Sequence, residues 1–373
     1  MVILDYAVDY VVPFVLVLSA LVFVHELGHY AIARRCGVRV EVFSIGFGPE
    51  LFGFTDRFET RWKFSAIPLG GYVKMFGEAD LAGDTPAAPL SLHEQKVSFQ
   101  HKTCGQRSAI VAAGPLANFA FALLLLGGLF GIVGAPRPLA AVGGVQDDSA
   151  AAAAGMRQGD LIVSIDGQAV KWFDDVRTIV RDQPGTALAF TLSRDGHEMV
   201  VTATPTRSVS TEPDSAGRET GVLGIRADLA QVGYERLPPL AAAWAAAERC
   251  YGLTVQILQA LWQIVSGARG ADELGGPLRI AQLSGQMAEN GVVNLVFFMA
   301  ALSINLGLIN FLPIPMLDGG HLAFYAVEAI RGRPVDKRVQ EYGFRFGLIF
   351  VLLLMIFATW NDLLSLNVFG FVE

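Results

Sequence analysis

Charge is scarce in this chain. Asp, Glu, Lys and Arg make up 17% of its 373 residues, against roughly 25% in an ordinary soluble domain. With 53% hydrophobic residues and a mean hydropathy of +0.45, the composition argues against a wholly soluble protein. Positive charge is scarcer than negative, 28 residues against 35. A net charge of −7 argues against a nucleic-acid partner, which calls for a basic face. Cysteine is nearly absent: Cys36, Cys104 and Cys250 lie far apart and allow neither a disulfide framework nor a CxxC metal site. The length admits two or three domains' worth of chain, so something soluble is expected beside something membranous.

The charge-free stretches locate the hydrocarbon, because a spanning helix needs about 20 mostly apolar residues. YVVPFVLVLSALVFV, from Tyr10, continues as a helix to about Ala33. Residues 108–136 carry no charge, nor do residues 290–317, and a shorter run covers Phe346 to Asn361. Four spans are therefore predicted, at about 10–33, 108–134, 291–317 and 342–361. The first has Asp5 and Asp9 ahead of it, no Lys or Arg, and no small-residue cleavage site after it, so it is not expected to be a removable signal peptide. Arg34, Arg35, Arg39, Lys102, Arg107, Arg331, Arg333, Lys337, Arg338 and Arg345 flank the span ends that the positive-inside rule assigns to the cytoplasm. Both termini and the long loop after the second span then lie outside. Cys250 to Ser266 carries Gln256, Gln259 and Gln263 at helical spacing, and reads as an amphipathic helix in the interface with membrane lipid.

Residues 140–206 change character. LIVSI followed by Asp166-Gly167, and alternating stretches around Arg194-Asp195-Gly196, signal strands and tight turns, with a short helical pattern from Phe173 to Val180. AAAAAGMRQGDLIVSIDG resembles a PDZ domain of the permuted bacterial type. The general PDZ mode is to add a peptide as a strand, so a peptide ligand is expected, with Val142 to Val145 as the carboxylate-side turn. Residues 207–238 are polar and turn-rich and read as a linker or irregular extension.

The chemistry sits at His25-Glu26-Leu27-Gly28-His29. On a helix two His four residues apart share a face, so both imidazoles can reach one Zn2+ while Glu26 lies beside the open position to take a proton from water. Three such residues within a hydrophobic span are costly unless they have a function. A third ligand is needed. His93, His101, His197 and His321 are candidates, as is Asp318, the sole acid at the end of span three. There Pro313, Pro315, Gly319 and Gly320 break the helix, as is tolerated at membrane depth only where the backbone lines a protein cavity. With four spans, the first and third run in the same direction and bring Asp318 to the depth of His25 and His29. A carboxylate suits a site with two histidines, so Asp318 is expected as the ligand and His321 as an alternative ligand or supporting partner. His101-Lys-Thr-Cys104 is expected to be a surface loop, Gly46-Phe-Gly48 no dinucleotide fingerprint, and Asp147-Asp148 and Asp174-Asp175 solvated faces.

HELGH in the first span, a PDZ-like insert after the second and Asn310-Phe-Leu-Pro313-Ile-Pro315-Met-Leu-Asp318-Gly-Gly after the third together resemble the site-2 protease family, in its bacterial sigma-E regulator branch. Gly114-Pro115-Leu-Ala-Asn118, Phe43-Ser-Ile-Gly46-Phe-Gly48-Pro49 and Pro68-Leu-Gly70-Gly71-Tyr72 add to the likeness, which covers nearly the whole chain. The resemblance implies intramembrane zinc proteolysis in a bacterial inner membrane, with His25, His29 and Asp318 as ligands and Glu26 as the catalytic base. It implies as substrate a single-pass transmembrane protein, such as an anti-sigma factor, or remnant signal peptides. Asn310, Asn118, Gly46, Gly48, Gly70 and Gly71 are the expected substrate-binding positions, the glycines belonging to a strand-forming region over 40–76 that holds an unwound segment by backbone pairing. Relatives of that branch often carry two tandem PDZ domains, and this chain has room for one. The expected architecture is a polytopic α-helical membrane protein with four transmembrane helices, an inserted β-rich PDZ-like domain and a membrane-associated β-hairpin region. Its parts are a membrane core over 1–135, the PDZ-like domain over 140–206, a linker with the interfacial helix over 207–289 and a second membrane core over 290–373. The competing class is a non-catalytic membrane scaffold that binds peptide ends through the PDZ-like domain.

Overall fold

A computed structural model describes residues 7–77, 90–209, 219–270 and 275–365. The chain divides into two compact units, Met1–Leu129 with Ala243–Glu373, and Phe130–Ala242.

The first unit opens with a π-helical turn, Ala7–Val11, that runs into helix α1, Val12–Arg35. Pro13 stands in the first turn of α1, where the hydrogen-bond pattern passes from π to α and a missing N–H interrupts the ladder near its start. Arg34 and Arg35 face the negative end of the helix dipole. Strands β1, Val40–Thr55, and β2, Arg61–Met75, follow. Both bend, so they pair more than once. Residues 40–45 run antiparallel to 71–75, 52–55 run antiparallel to 61–64, and Val42 to Ile45 also align with Arg61 to Phe64 in ascending order. The segment 71–75 therefore lies at one side of the pairing. Phe47, Leu51, Phe52, Phe54, Phe64 and Ile67 are exposed on this sheet, and Phe52 stacks on Phe64. A short helix, α2 (Leu92–Val97), precedes the long α3 (Cys104–Ile132).

In the second unit β3 (Ala135–Pro138) and β4 (Val142–Val145) lead to the single turn α4 (Ala150–Ala153). Then come β5 (Leu161–Ile165), β6 (Gln168–Ala169), α5 (Phe173–Arg181), β7 (Leu188–Arg194) and β8 (His197–Ala203). Four of these strands form a sheet in the order β6-β5-β7-β8. Asp166-Gly167 and Asp195-Gly196 both take positive φ, the geometry that Asp-Gly hairpin turns need. Ile162, Ile165, Val176, Leu188, Phe190 and Leu192 close the core. One buried carboxylate, Asp160, receives two Arg194 hydrogen bonds of 2.6 and 2.7 Å.

The described residues from 207 onward do not form an irregular linker. They form β9 (Thr206–Val209), β10 (Glu219–Val222), β11 (Ile225–Ala227) and β12 (Val232–Glu235). β11 pairs with β4 and β12 with β3, so the unit reaches well beyond residues 140–206 on both sides. This also corrects the expected carboxylate-side turn at Val142 to Val145. That segment is an inner strand. β11 covers one edge, while on the other Val142 N–H donates to Asp160 O and Gly159 N–H donates to Val142 O. Short polar strands without strict alternation carry little sequence signal of their own and are recognised by the partner they cover.

The chain continues as α6, Pro239–Val265, which begins eleven residues before the amphipathic stretch expected from Cys250. Next come α7 (Pro277–Glu289), α8 (Val292–Phe311), α9 (Asp318–Arg331) and α10 (Lys337–Ser365). Among the described residues four helices are long and apolar enough to cross a bilayer: Val8–Arg35, Cys104–Ile132, Val292–Phe311 and Arg338–Ser365. The third is shorter than the predicted 291–317, because helical hydrogen bonding ends before Pro313. Near the other end of the unit, buried Asp362 of α10 accepts hydrogen bonds from Gly276 N–H (2.8 Å) and Arg279 N–H (3.0 Å), capping α7 from outside its own sequence.

Candidate metal centre

Helical spacing puts His25 and His29 on one face of α1, both buried at 9% and 8% exposure. Their Nε2 atoms lie 3.2 Å apart. Asp318 arrives from a sequence distance of almost 300 residues, and the broken helix is what delivers it. After α8, Leu312 to Leu317 form a tight turn in which Met316 holds a φ of +91°, costly for a side chain with a Cβ. Gly319 and Gly320 then press on the carbonyls of Leu312 and Ile314, at distances that any Cβ would close to 2.2 and 2.4 Å. The new helix α9 therefore starts with Asp318 in its first turn. The Asp318 carboxylate Oδ2 sits 3.1 Å from His25 Nε2 and 3.5 Å from His29 Nε2.

The donor set fits one divalent metal. A tetrahedral zinc with bonds of about 2.0–2.1 Å has its ligand atoms roughly 3.3–3.4 Å apart. The three observed separations, 3.1, 3.2 and 3.5 Å, bracket that edge. Among the described residues this is the one group of three or more His, Cys, Asp or Glu whose ligand atoms converge, and His321 is not part of it. The His321 ring packs instead against Phe344 of α10, with centroids 4.7 Å apart. The His29 tautomer is fixed as well. Its Nδ1 donates to the Ile110 carbonyl at 2.9 Å, which leaves the Nε2 lone pair facing the cluster.

Helix α3 makes room for the site. At Gly114 a Cβ would stand 2.2 Å from His29 Nε2 and 2.9 Å from His25 Cε1, so only glycine lets the backbone lie flat against both imidazoles. Gly28 performs the reciprocal service on α1, where a Cβ would meet the Ala113 carbonyl at 2.3 Å. Asn118, one turn after Gly114, is fully buried, its amide 3.1 Å from His25 Nδ1, and its backbone carbonyl accepts a 2.8 Å bond from Ser303 of α8.

The model of "Peptidase family M50" matches residues 13–354, a stretch that includes all three converging side chains. The chain belongs to this family. Over 363 residues it is 47% identical to an Agrobacterium fabrum protein named "Putative zinc metalloprotease", covering 96% of each chain. A Rhizobium meliloti protein of the same name is 43% identical, covering 95% of this chain and 96% of its own. The regulator of sigma-E protease RseP of Salmonella typhimurium is 34% identical, covering 94% of this chain and 97% of its own. That last alignment runs to 450 residues, so about 100 positions are filled by the relative alone, room for one further small domain. Among solved structures, the PDZ domain of an SdrC-like protein from Listeria monocytogenes aligns with 23% of this chain and 84% of its own, at 23% identity and a TM-score of 0.19.

As an M50 peptidase the chain is a zinc metalloendopeptidase of the membrane. Within it, the positions expected to bind substrate separate into two kinds. Gly71 borders the site, since a Cβ there would lie 3.4 Å from Glu26 Cγ and 2.9 Å from Val22. Gly46, Gly48 and Gly70 have φ of +88°, +88° and +100°, and a Cβ on Gly46 or Gly70 would strike Ile67 O or the Phe47 ring. These three are accounted for by the bends of β1 and β2 themselves. Asn118 is fully buried, and its amide points at a histidine rather than into open space. Asn310 is half-buried in the last turn of α8 and makes no hydrogen bond to His25, His29 or Asp318. Sequence reasoning missed Gly114 as a packing position, the Ile110 carbonyl and Ser303. The Gly114-Pro115 pair inside an apolar span was the available signal, since small residues in such helices mark close approach.

Proposed function

We propose that this M50 peptidase hydrolyses a peptide bond in or near the membrane segment of a single-pass transmembrane protein, with zinc held by His25 Nε2, His29 Nε2 and Asp318 Oδ2. The observation that carries the reading is the triangle of those three atoms beside Glu26 on a helix apolar enough to lie in a bilayer. Bound there, the metal would acidify a water and polarise the scissile carbonyl. The Glu26 carboxylate takes a proton as the water oxygen bonds to the carbonyl carbon, and returns it to the amide nitrogen as the C–N bond breaks. One water is consumed, leaving a carboxylate and an amine.

A transmembrane substrate is helical and must unwind before its carbonyls can face the site. The segment 71–75, with Gly71 against Glu26, offers strand edge for an unwound segment to pair with. The exposed aromatics of β1 and β2 suit immersion in lipid. The Lys and Arg pattern favours a site toward the cytoplasm and a second unit in the periplasm of a bacterial inner membrane. By likeness to RseP, an anti-sigma factor or a remnant signal peptide is the substrate class. In the second unit a peptide end would add beside β11, which among the described residues pairs only with β4. The decisive experiment is a Glu26→Gln variant in membranes with a reporter single-pass substrate. Cleavage is expected to fall at least about 1,000-fold with zinc retained; cleavage at the wild-type rate would remove Glu26 from the mechanism.

A further inference from the structure

Helix α3 reaches the two metal-site imidazoles with polar groups, and it does so asymmetrically. His29 Nδ1 faces a backbone carbonyl, which can only accept. His25 Nδ1 faces the side-chain amide of Asn118, which can present either end. In the structure Nδ2 lies 3.1 Å from Nδ1 while Oδ1, fully buried, has no hydrogen-bond partner. The oxygen and nitrogen of an amide are assigned from their surroundings, and here the surroundings favour the opposite sense. A His25 that binds metal through Nε2 carries its proton on Nδ1. An N–H facing an N–H would be repulsive and would also leave the buried carbonyl unsatisfied.

We infer that Asn118 is a positioning residue for the metal site, presenting Oδ1 to the Nδ1–H of His25 so that this imidazole, like that of His29 on the Ile110 carbonyl, is held with Nε2 toward the cluster. The inference rests on the zinc reading of the preceding section. It takes Asn118 out of the set of groups that meet substrate. The residue is firmly held, because it lies one helical turn from Gly114, which presses on both rings, and Ser303 fixes its backbone carbonyl from α8. The His25 and His29 pair is thus oriented by α3 throughout, through Ile110, Gly114 and Asn118, while α9 supplies the third ligand.

Two substitutions separate the two senses of the amide. Aspartate accepts at either oxygen but cannot donate; leucine does neither. Zinc affinity of the full-length protein in detergent, measured by chelator competition, is the readout, with the visible spectrum of the cobalt-substituted protein as a check on coordination. Asn118→Leu is expected to weaken zinc binding by about 10–100-fold, and Asn118→Asp to stay within about threefold of wild type. Loss of affinity in Asn118→Asp equal to that in Asn118→Leu would mean that the amide donates, and overturns the inference. Wild-type affinity and an unchanged cobalt spectrum in Asn118→Leu overturn it too. Should Asn118→Leu not fold, the aspartate variant alone decides the matter. Failure of the underlying reading looks different: the wild-type protein itself would then take up no stoichiometric zinc, or would keep it on His25→Ala.

Discussion

The two units bury their polar groups in opposite ways. In Phe130–Ala242 an apolar cluster around Phe190, Leu188 and Leu192 holds sheet and helix together, and among the described residues Asp160 is the single buried acid, paired with an arginine. In the other unit His25, His29, Asn118, Ser303, Ser284 and Asp362 are all buried, on five different helices. Hydrophobic burial in water tells a strand which face goes inward. Between helices with apolar flanks on every side it discriminates poorly, because lipid is as good a neighbour as leucine. There, single polar atoms and glycine contacts decide which helix lies against which, and some of the same groups, His25, His29 and Asn118, lie at the candidate metal site. In the first unit the groups that specify the fold and those of the candidate site overlap, whereas an apolar cluster suffices to specify the second.

The contrast is sharpest at Gly114. Gly114→Ala is expected to lower proteolysis by at least about 100-fold and to weaken zinc binding, because its Cβ would stand 2.2 Å from His29 Nε2 and displaces a ligand or a helix. Circular dichroism and hydrogen exchange in the second unit should be unchanged. A variant with normal zinc affinity would show that α3 does not set the geometry of the site.

The second unit has its own polar test. Burial pushes the Asp160 carboxyl up, but the hydrogen bonds from Arg194 and the Arg157 amide outweigh this and hold it below the usual carboxylate range. Its contribution to stability is therefore fully present above the unfolded value of about 3.9 and is lost as pH falls through the lower folded value. With Asp160 at 1% exposure and Arg194 at 21%, the contribution is about 1–3 kcal/mol. Exchange of β5 and β7 amides in the full-length protein, corrected for intrinsic rate, should rise as pH drops below about 4. Asp160→Asn should raise exchange at neutral pH and flatten that dependence. A pH dependence identical in Asp160→Asn would assign the effect to another carboxylate.

Much of this was legible beforehand, for reasons that differ by residue. His25, Glu26 and His29 share one helix, so spacing alone places them together. Asp318 was reachable because Pro313 and Pro315 cannot continue a helix and a lone acid beside a break has few uses. The Asp-Gly turns were readable from local conformational demand. What stayed hidden depends on partners distant in sequence. β11 and β12 are recognisable only from the edges of β4 and β3 that they cover. Asn118 reads as a substrate-binding amide or a bond between helices until His25 is placed against it.

Asp362 belongs to that hidden class and carries the smallest expected effect. It stands near the end of α10, 86 residues from the Gly276 N–H it receives. Helix N-termini carry unpaired N–H groups, and α7 has Gly276 at its cap position, with no side chain to satisfy them. Asp362 does so with both oxygens, one to Gly276 and one to Arg279, and Gly276 must lack a Cβ because one would approach Oδ2 to 2.7 Å. Asparagine preserves the shape and one acceptor but turns the second oxygen into a donor facing an N–H. Asp362→Asn should therefore cost about 1 kcal/mol, and Asp362→Ala about 1–2 kcal/mol. The loss should appear as faster exchange confined to the first turn of α7, with zinc affinity unchanged. If both variants left α7 exchange at the wild-type rate, single polar atoms would not be what holds helices in register in this unit, and the contrast with the apolar core of the other would fail.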